Sequence, residues 1–468
     1  MDADTAKPIP SLKKRRFRIP AFNPYIVATV LLAVSFIAAP FSYHSQDVFD
    51  FFLAWGRASE GWYPWRIYDA WPPCNYPPFC LYLLTIMERT RLLLNAPTTS
   101  ILTICLLKIP FFLAHVAGVL VCYLGLRRPF GGKDARRIAL LYALCFPLFV
   151  NGAQWAQADA LLMLAVVAAV IALTNEKPVL AGVLMGWALS IKFQAIIIGP
   201  MLLVYALRRF GVKQTLLSCL ALAGTLLAFS LPFLVAGKAK PLLAAYTEAA
   251  GFYPVRSLNA MNLWGAANVI DTTYRGLTGD QVNRDDVLVI GRLTYHHISL
   301  LMTGSYYIAL LIMLWRQPTR DRFLFACGLG ALGFFVLTTQ MHERYIVPAA
   351  ALLTLPALFT RPRLLLYAGV CLTASVNQLL ILFSNYLPFT HRPADFVNFL
   401  WGKGFFPCSL LNCLLLVFGT VLYLLPSSPP TVSHQPPVML KKSPQKKQNS
   451  GTARAKGSRR GSAPRKNR

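Results

Sequence analysis

Residues 24–43 read PYIVATVLLAVSFIAAPFSY and residues 44–50 read HSQDVFD. The first stretch is long and apolar enough to cross the roughly 30 Å hydrocarbon layer of a bilayer as a helix. The second sets two carboxylates, Asp47 and Asp50, directly beyond its end. Acids this close to a membrane generally serve an ion or a substrate. Together they predict a membrane protein whose chemistry lies on the side reached by the first span. The loop runs on to Asn75-Tyr76-Pro77-Pro78 and holds four Trp and several Tyr.

Lys13-Lys14-Arg15-Arg16 precede the first span. The span has no clear small-x-small cleavage site, so it reads as a retained anchor rather than a signal peptide. The basic cluster places the N-terminus in the cytoplasm.

The rest of the chain has the same character. It is 56% hydrophobic and 14% charged, against roughly 25% charged in soluble domains. Apolar runs recur at about 24–43, 100–126, 137–151, 158–174, 178–192, 194–208, 214–236, 297–315, 322–340, 345–360, 363–386 and 405–425. The expected fold is therefore an all-α polytopic membrane protein of roughly 12 transmembrane helices. The net charge of +28 falls mainly in tails and short turns, which indicates topology and not nucleic-acid binding.

Counted alternately from an inside N-terminus, the turns on the inner side carry Arg127-Arg128 with Lys133 and Arg136-Arg137, then Lys177, then Arg208-Arg209 with Lys213. Arg316 with Arg320 and Arg322, and Arg361 with Arg363, complete the set. This is the positive-inside pattern, and an even count returns the C-terminus to the same side. Residues 79–96 end in Glu88-Arg89-Thr90-Arg91. A span there would invert every later turn, so an interfacial helix on the outer face is expected.

Three regions follow: a basic cytoplasmic segment over 1–23, a membrane domain over 24–426 with outer loops at about 44–99 and 237–296, and a tail over 427–468. The tail is rich in Pro, Ser, Gln, Lys and Arg, which predicts a disordered cytoplasmic segment touching anionic headgroups. The ten Cys are scattered without metal spacing. Cys74 and Cys80 fall on the outer side, where a disulfide is chemically open to them.

Polar groups gather on the outer side of this map. They are Asp47 and Asp50, then Gln154, Gln157 and Asp159 in Asn151-Gly152-Ala153-Gln154-Trp155-Ala156-Gln157-Ala158-Asp159, then Lys192 and Gln194, then His342-Glu343-Arg344-Tyr345. Each has a bland reading: solvated loop acid, interhelical glue, snorkelling cation, interfacial aromatic belt. Their convergence on one side is what those readings leave unexplained.

The pattern Asp47 through Phe51 and Trp55, then Gly61, Tyr63 and Tyr76-Pro77-Pro78, resembles the first outer loop of GT-C fold glycosyltransferases. Gln154 to Asp159 resembles their GQ-x-D turn. Ser190-Ile191-Lys192-Phe193-Gln194 with Pro200 resembles K-x-Q…P, Asn259 with Asn262-Leu263-Trp264 resembles N…NLW, and Gln340 to Tyr345 with Pro348 resembles MHERY…P. Within the superfamily the chain looks most like bacterial relatives of polyprenyl-phosphate-mannose-dependent mannosyltransferases. It departs in having two nearby acids in the first loop and in the Trp155-Ala156 insertion between Gln154 and Gln157.

The resemblance implies an inverting transfer of mannose or another hexose. The donor is a polyprenyl-phosphate sugar, and the acceptor is a lipid, glycan or protein on the outer face of a bacterial plasma membrane. A sugar hydroxyl needs a base, for which Asp47 is the first candidate and Asp50 the second. Arg344, His342 and Lys192 are the candidates for the leaving phosphate. Gln154, Gln157, Asp159, Tyr76, Asn262 and Trp264 are the candidate substrate contacts. No cofactor is required; a divalent metal is compatible with Asp47 and His342 only if further oxygens join them. The alternatives are a lipid-linked glycan polymerase or ligase, and a lipid or solute transporter, although the repeat symmetry of a transporter is not evident.

Overall fold

The computed structural model describes residues 19–248, 253–278, 280–384 and 394–425. The tail expected over 427–468 and most of the basic segment 1–23 lie outside the described residues.

Helices dominate, because in lipid each backbone N–H and C=O must find its partner within its own segment. They are α1 (Pro24–Ala38), α2 (Pro78–Leu93), α3 (Ile101–Phe130), α4 (Gly132–Ala143), α5 (Asp159–Thr174), α6 (Pro178–Ile191) and α7 (Gly199–Val235). α8 (Tyr295–Arg316), α9 (Arg320–Leu337), α10 (Val347–Leu353), α11 (Arg361–Ser384) and α12 (Phe405–Leu424) follow, with shorter turns between. Their starts are written in the sequence. Pro opens α1, α2 and α6, where its missing N–H costs nothing. Ser100 caps α3 and Thr319 caps α9. Thr294 and His297 cap α8 reciprocally.

By length and composition six segments can cross a membrane: Pro24–Phe41, Ile101–Phe130, Phe193–Val235, Tyr295–Arg316, Arg361–Ser384 and Val397–Leu424. α4 and the stretch Phe146–Trp155, bent by 51°, make a seventh if taken as one span. The chain is thus a polytopic helical membrane protein, with fewer full-length spans than the dozen expected. The difference has physical causes. α5 and α6 are too short, α9 opens on Arg320, Asp321 and Arg322, and α7 holds two apolar halves broken at Gly211, whose φ is 80°.

α5 shows how a short helix is accommodated. Its 16 residues rise about 24 Å, less than the hydrocarbon thickness. Nearly all of its side chains are buried, so protein surrounds it where lipid would not fit. α6 packs on α7 through Gly182 and Gly186. A Cβ at those positions would stand 2.0 Å from Ser218 O and 2.6 Å from Leu222 O, the close backbone approach of a small-xxx-small seam.

α2 occupies the segment expected as an interfacial helix and is not one of the candidate spans. It packs Phe79 against Trp187 and Phe229. Cys74 and Cys80 are both free thiols, which corrects the disulfide considered above; Cys80 Sγ donates to Ile191 O at 3.2 Å. The all-helical expectation also needs a small correction. Ser257–Leu258 pairs in parallel with Met341–His342, and Leu288–Ile290 pairs antiparallel with Leu293–Thr294.

The basic turns meet. Glu176 accepts from Arg320 at 2.9 Å and from Arg209 at 3.4 Å. Arg208 Nε donates to Trp315 O, Arg363 pairs with Asp321, and Arg137 Nε donates to Ile19 O, just before α1. The polar residues singled out above gather elsewhere, where α1 ends and α5 begins.

Candidate active site

The site is assembled from four segments that are remote in sequence. The first follows α1. Residues Gln46–Leu53 wind as a wide π-type helix with Asp47 in its first turn. The second is the turn Val150–Trp155, which ends at Ala156 with φ 76° and ψ 40°. A left-handed alanine is strained, and such strain persists where the surroundings impose it. Here it brings two neighbours onto one atom. Trp155 Nε1 donates to Asp47 Oδ2 at 2.7 Å and Gln157 Nε2 donates to the same oxygen at 2.6 Å. Asp47 Oδ1 takes no hydrogen bond among the described residues.

His44 completes this side. Its ring stacks on Trp155 with centroids 5.1 Å apart. Its Nδ1 accepts the backbone N–H of Asp47 at 3.3 Å and stands 3.5 Å from Oδ2. Burial first, then Arg344, pull the His44 pKa below its usual value and outweigh Asp47. The imidazole is therefore neutral at pH 7, and the contact with Asp47 is not an ion pair. The Tyr76 hydroxyl donates to Gln157 Oε1 at 3.4 Å.

Beside this group lies a buried ion pair. Lys192, extended between α6 and the 3-10 turn Phe193–Ile198, donates to Asp159 Oδ1 at 2.5 Å. Asp159 is fully buried at the start of α5. Asn151 Nδ2 donates to its other oxygen at 3.0 Å. The Lys192 ammonium also sits 5.1 Å from the centroid of Tyr345.

The fourth segment is His342-Glu343-Arg344-Tyr345, placed by the strand pairing of Met341–His342 with Ser257–Leu258. Arg344 Nη1 donates to Glu343 Oε1 at 2.7 Å. Its guanidinium carbon lies 6.0 Å from the Trp155 ring and 5.9 Å from Tyr345, and its Nε is buried without a partner among the described residues. Burial alone would raise the Glu343 pKa; Arg344 and His342 override it and hold the carboxyl down to about 2. His342 is pushed down by burial and by Arg344 against the pull of Glu343. That favours the neutral imidazole, which can act as a hydrogen-bond donor. Glu343, which would repel a phosphate if it faced one, is instead paired with a basic residue, the Arg344 guanidinium.

The structure thus brings together Asp47, Tyr76, Gln157, Asp159, Lys192, His342 and Arg344. It does not bring in the other four candidates. Asp50 is exposed and has no polar partner among the described residues. Gln154 donates to Ala38 O at 3.1 Å and accepts from Ser42 Oγ, so its amide ties the end of α1 to the turn. Asn262 donates to Phe335 O and Thr338 O and accepts from Gly265 N; Trp264 Nε1 donates to Leu337 O. Both polar groups are spent on holding the backbone that leads to His342.

Sequence reading assigns no roles to Trp155, His44, Asn151 and Lys108. Lys108 is fully buried in α3 and its ammonium binds Ala39 O at 2.6 Å and also Ser42 O. It holds the start of the loop that carries Asp47. A single lysine in a long apolar run was the available signal, since intramembrane charges have partners and purposes. Among the described residues no group of three or more His, Cys, Asp or Glu stands together to hold a metal.

A sequence model of the ALG6, ALG8 glycosyltransferase family matches residues 102–391. That range includes Gln157, Asp159, Lys192 and Arg344 but not Asp47. No curated protein matches. Among solved structures the chain is similar to that of ArnT from Cupriavidus metallidurans bound to undecaprenyl phosphate. The sequence identity is 16% and the TM-score 0.46, over 85% of this chain and 76% of that one. With the family match spanning more than half its length, this chain belongs to the ALG6, ALG8 glycosyltransferase family and is a membrane glycosyltransferase of the GT-C type.

Proposed function

We propose that this protein moves a hexose, mannose in the first instance, from a polyprenyl-phosphate donor to a lipid, glycan or protein hydroxyl, with Asp47 as the base. The observation that carries this reading is the asymmetry of the Asp47 carboxylate. Two donors hold Oδ2, which aims the other oxygen and stabilises the anion. Oδ1 remains to accept a proton from the attacking hydroxyl. One base and one displacement at the anomeric carbon give inversion. Asp50 has no comparable support.

Two cations and three carboxylates make up the charged part of the cluster: Lys192 and Arg344 against Asp47, Asp159 and Glu343. Positive charge is not in excess. What the site offers a leaving phosphate is direction: the Nε–H of Arg344, without a partner among the described residues, on a guanidinium that Glu343 already orients through Nη1. Lys192 reaches the same region through Tyr345.

The orientation follows from the basic turns. Under the positive-inside rule their end faces the cytoplasm, so the site faces the outside of a bacterial plasma membrane. Counting α5, α6, α9, the stretch around α10 and each half of α7 as crossings restores twelve spans with both termini inside. A polyprenyl phosphate then presents its headgroup at the depth of the site. The test is direct: purified protein in liposomes should release polyprenyl phosphate from polyprenyl-phosphate mannose when acceptor lipid is present. Release from a different sugar donor alone would change the sugar, and no release from any such donor would remove the reading.

A further inference from the structure

The second loop contains a hairpin that the site does not use. Leu288–Ile290 pairs with Leu293–Thr294 around Gly291, whose φ is 58°. Successive residues of a strand face opposite ways, and here both ways are apolar and open. Leu288 is 65% exposed, Val289 41%, Ile290 68% and Leu293 39%. A hairpin resting on a bundle in water buries one of its faces; this one buries neither.

Its position indicates what covers it. Tyr295 N donates to Val287 O at 3.3 Å and His296 N donates to Asp285 O at 2.9 Å. The root of the hairpin is thereby bonded to the first turn of α8, a candidate membrane span. The root does not swing, because the buried Asp285 carboxylate accepts from Thr339 Oγ1 and Gln340 Nε2, each at 2.9 Å. From that root the tip reaches only about 10 Å. Leu300 and Leu301, 49% and 59% exposed, begin the outward apolar face of α8 one turn further on. Exposed apolar side chains thus stand on either side of the short polar turn Thr294 to His297, on the hairpin and on the lipid-facing side of the span. Arg292 beside the tip supplies a cation for phosphate headgroups, with its stem free to lie along the apolar strands.

We infer that residues 288–293 lie in the bilayer interface and anchor the second loop to the lipid of that leaflet, Leu288 and Ile290 among the acyl chains and Arg292 at the phosphates. A second copy of the chain is the rival occupant.

The test is the depth of a spin label. Ile290→Cys and, as an independent variant, Leu288→Cys are placed in a Cys219→Ser background, labelled, and reconstituted in phosphatidylcholine vesicles. Leu300→Cys serves as the lipid reference and Asp286→Cys as the aqueous one. Power saturation should show both hairpin labels more accessible to oxygen than to a soluble nickel chelate, as at Leu300, with the order reversed at Asp286. Hairpin labels more accessible to nickel than to oxygen would place the hairpin in water and overturn the inference. Dipolar broadening that disappears on dilution with unlabelled protein would assign the surface to a second copy and overturn it equally.

Discussion

The basic turns and the candidate site are both built from charged residues, yet they hold their charges differently. At the basic turns, Glu176 and Arg209 are about half exposed, at 52% and 50% of the side chain, and Arg320 is 33% exposed. At the site, the Asp159 side chain is 0% exposed and that of Glu343 3%. A half-exposed pair in water contributes little to stability. A buried pair must overcome the loss of hydration and is not an economical way to hold helices together. Charge around Glu176 is explained by topology alone. Charge at the site is not explained in that way.

The largest effect expected from this contrast is on the buried pair. Lys192→Met or Asp159→Asn leaves one charge without its partner, which costs about 3–5 kcal/mol. Either variant should accumulate poorly or unfold early in detergent, as read by fluorescence-detected size exclusion. The double variant should recover much of the loss in stability, though not in activity. A single variant as stable as the parent would show that the pair is hydrated and that the contrast is overdrawn.

Arg344→Lys keeps the charge and removes the fork that Glu343 orients. Apparent donor affinity or turnover should fall about tenfold, roughly the worth of one charge-assisted hydrogen bond. Unchanged donor kinetics would reduce Arg344 to an anchor of its helical turn.

The pH dependence should also differ between the two regions. His44 and His342 are held below the usual imidazole value by burial. The unfolded chain then binds more protons than the folded one around pH 6, so stability rises with pH. It is complete above about 6.5, the ordinary His value, and declines as pH falls through that value. Glu343 works in the opposite region: its depressed pKa stabilises the fold above the ordinary carboxylate range and is lost only as pH falls through about 2. Thermal midpoints should therefore drop between pH 7 and 5, and His342→Phe should flatten the drop. The smallest effect belongs to the basic turns. Glu176→Gln should change stability by about 0–1 kcal/mol and leave turnover alone in the same assay.

Much of this was legible in the sequence, for reasons that can be named. Apolar runs of spanning length and basic turns are local signals, and they locate the helices and their two kinds of ends. Asp47, Gln157, Asp159, Lys192 and Arg344 stand out because polar residues near a bilayer are costly. What sequence did not reveal is which way each polar group points. Gln154 and Gln157 look alike in the chain. The left-handed Ala156 between them sends Gln157 to Asp47, while Gln154 ties down α1. Trp155 looked like an insertion and is a donor to the candidate base. Asn262 and Trp264 looked like ligand contacts, and tertiary structure uses them to bond backbone carbonyls. Direction is a three-dimensional property, and no spacing rule carries it.

The claim on which the rest depends is that Asp47, and not Asp50, takes the proton. Asp47→Asn preserves an acceptor oxygen for Trp155 and Gln157, so the site should remain assembled. The deciding measurement is turnover of a polyprenyl-phosphate sugar by Asp47→Asn and Asp50→Asn proteins matched for amount and thermal midpoint. Asp47→Asn should lose roughly 10²–10⁴-fold, the worth of general-base assistance, and Asp50→Asn should stay near the parent. Near-parental turnover by Asp47→Asn, or an equal loss in Asp50→Asn, would contradict the assignment.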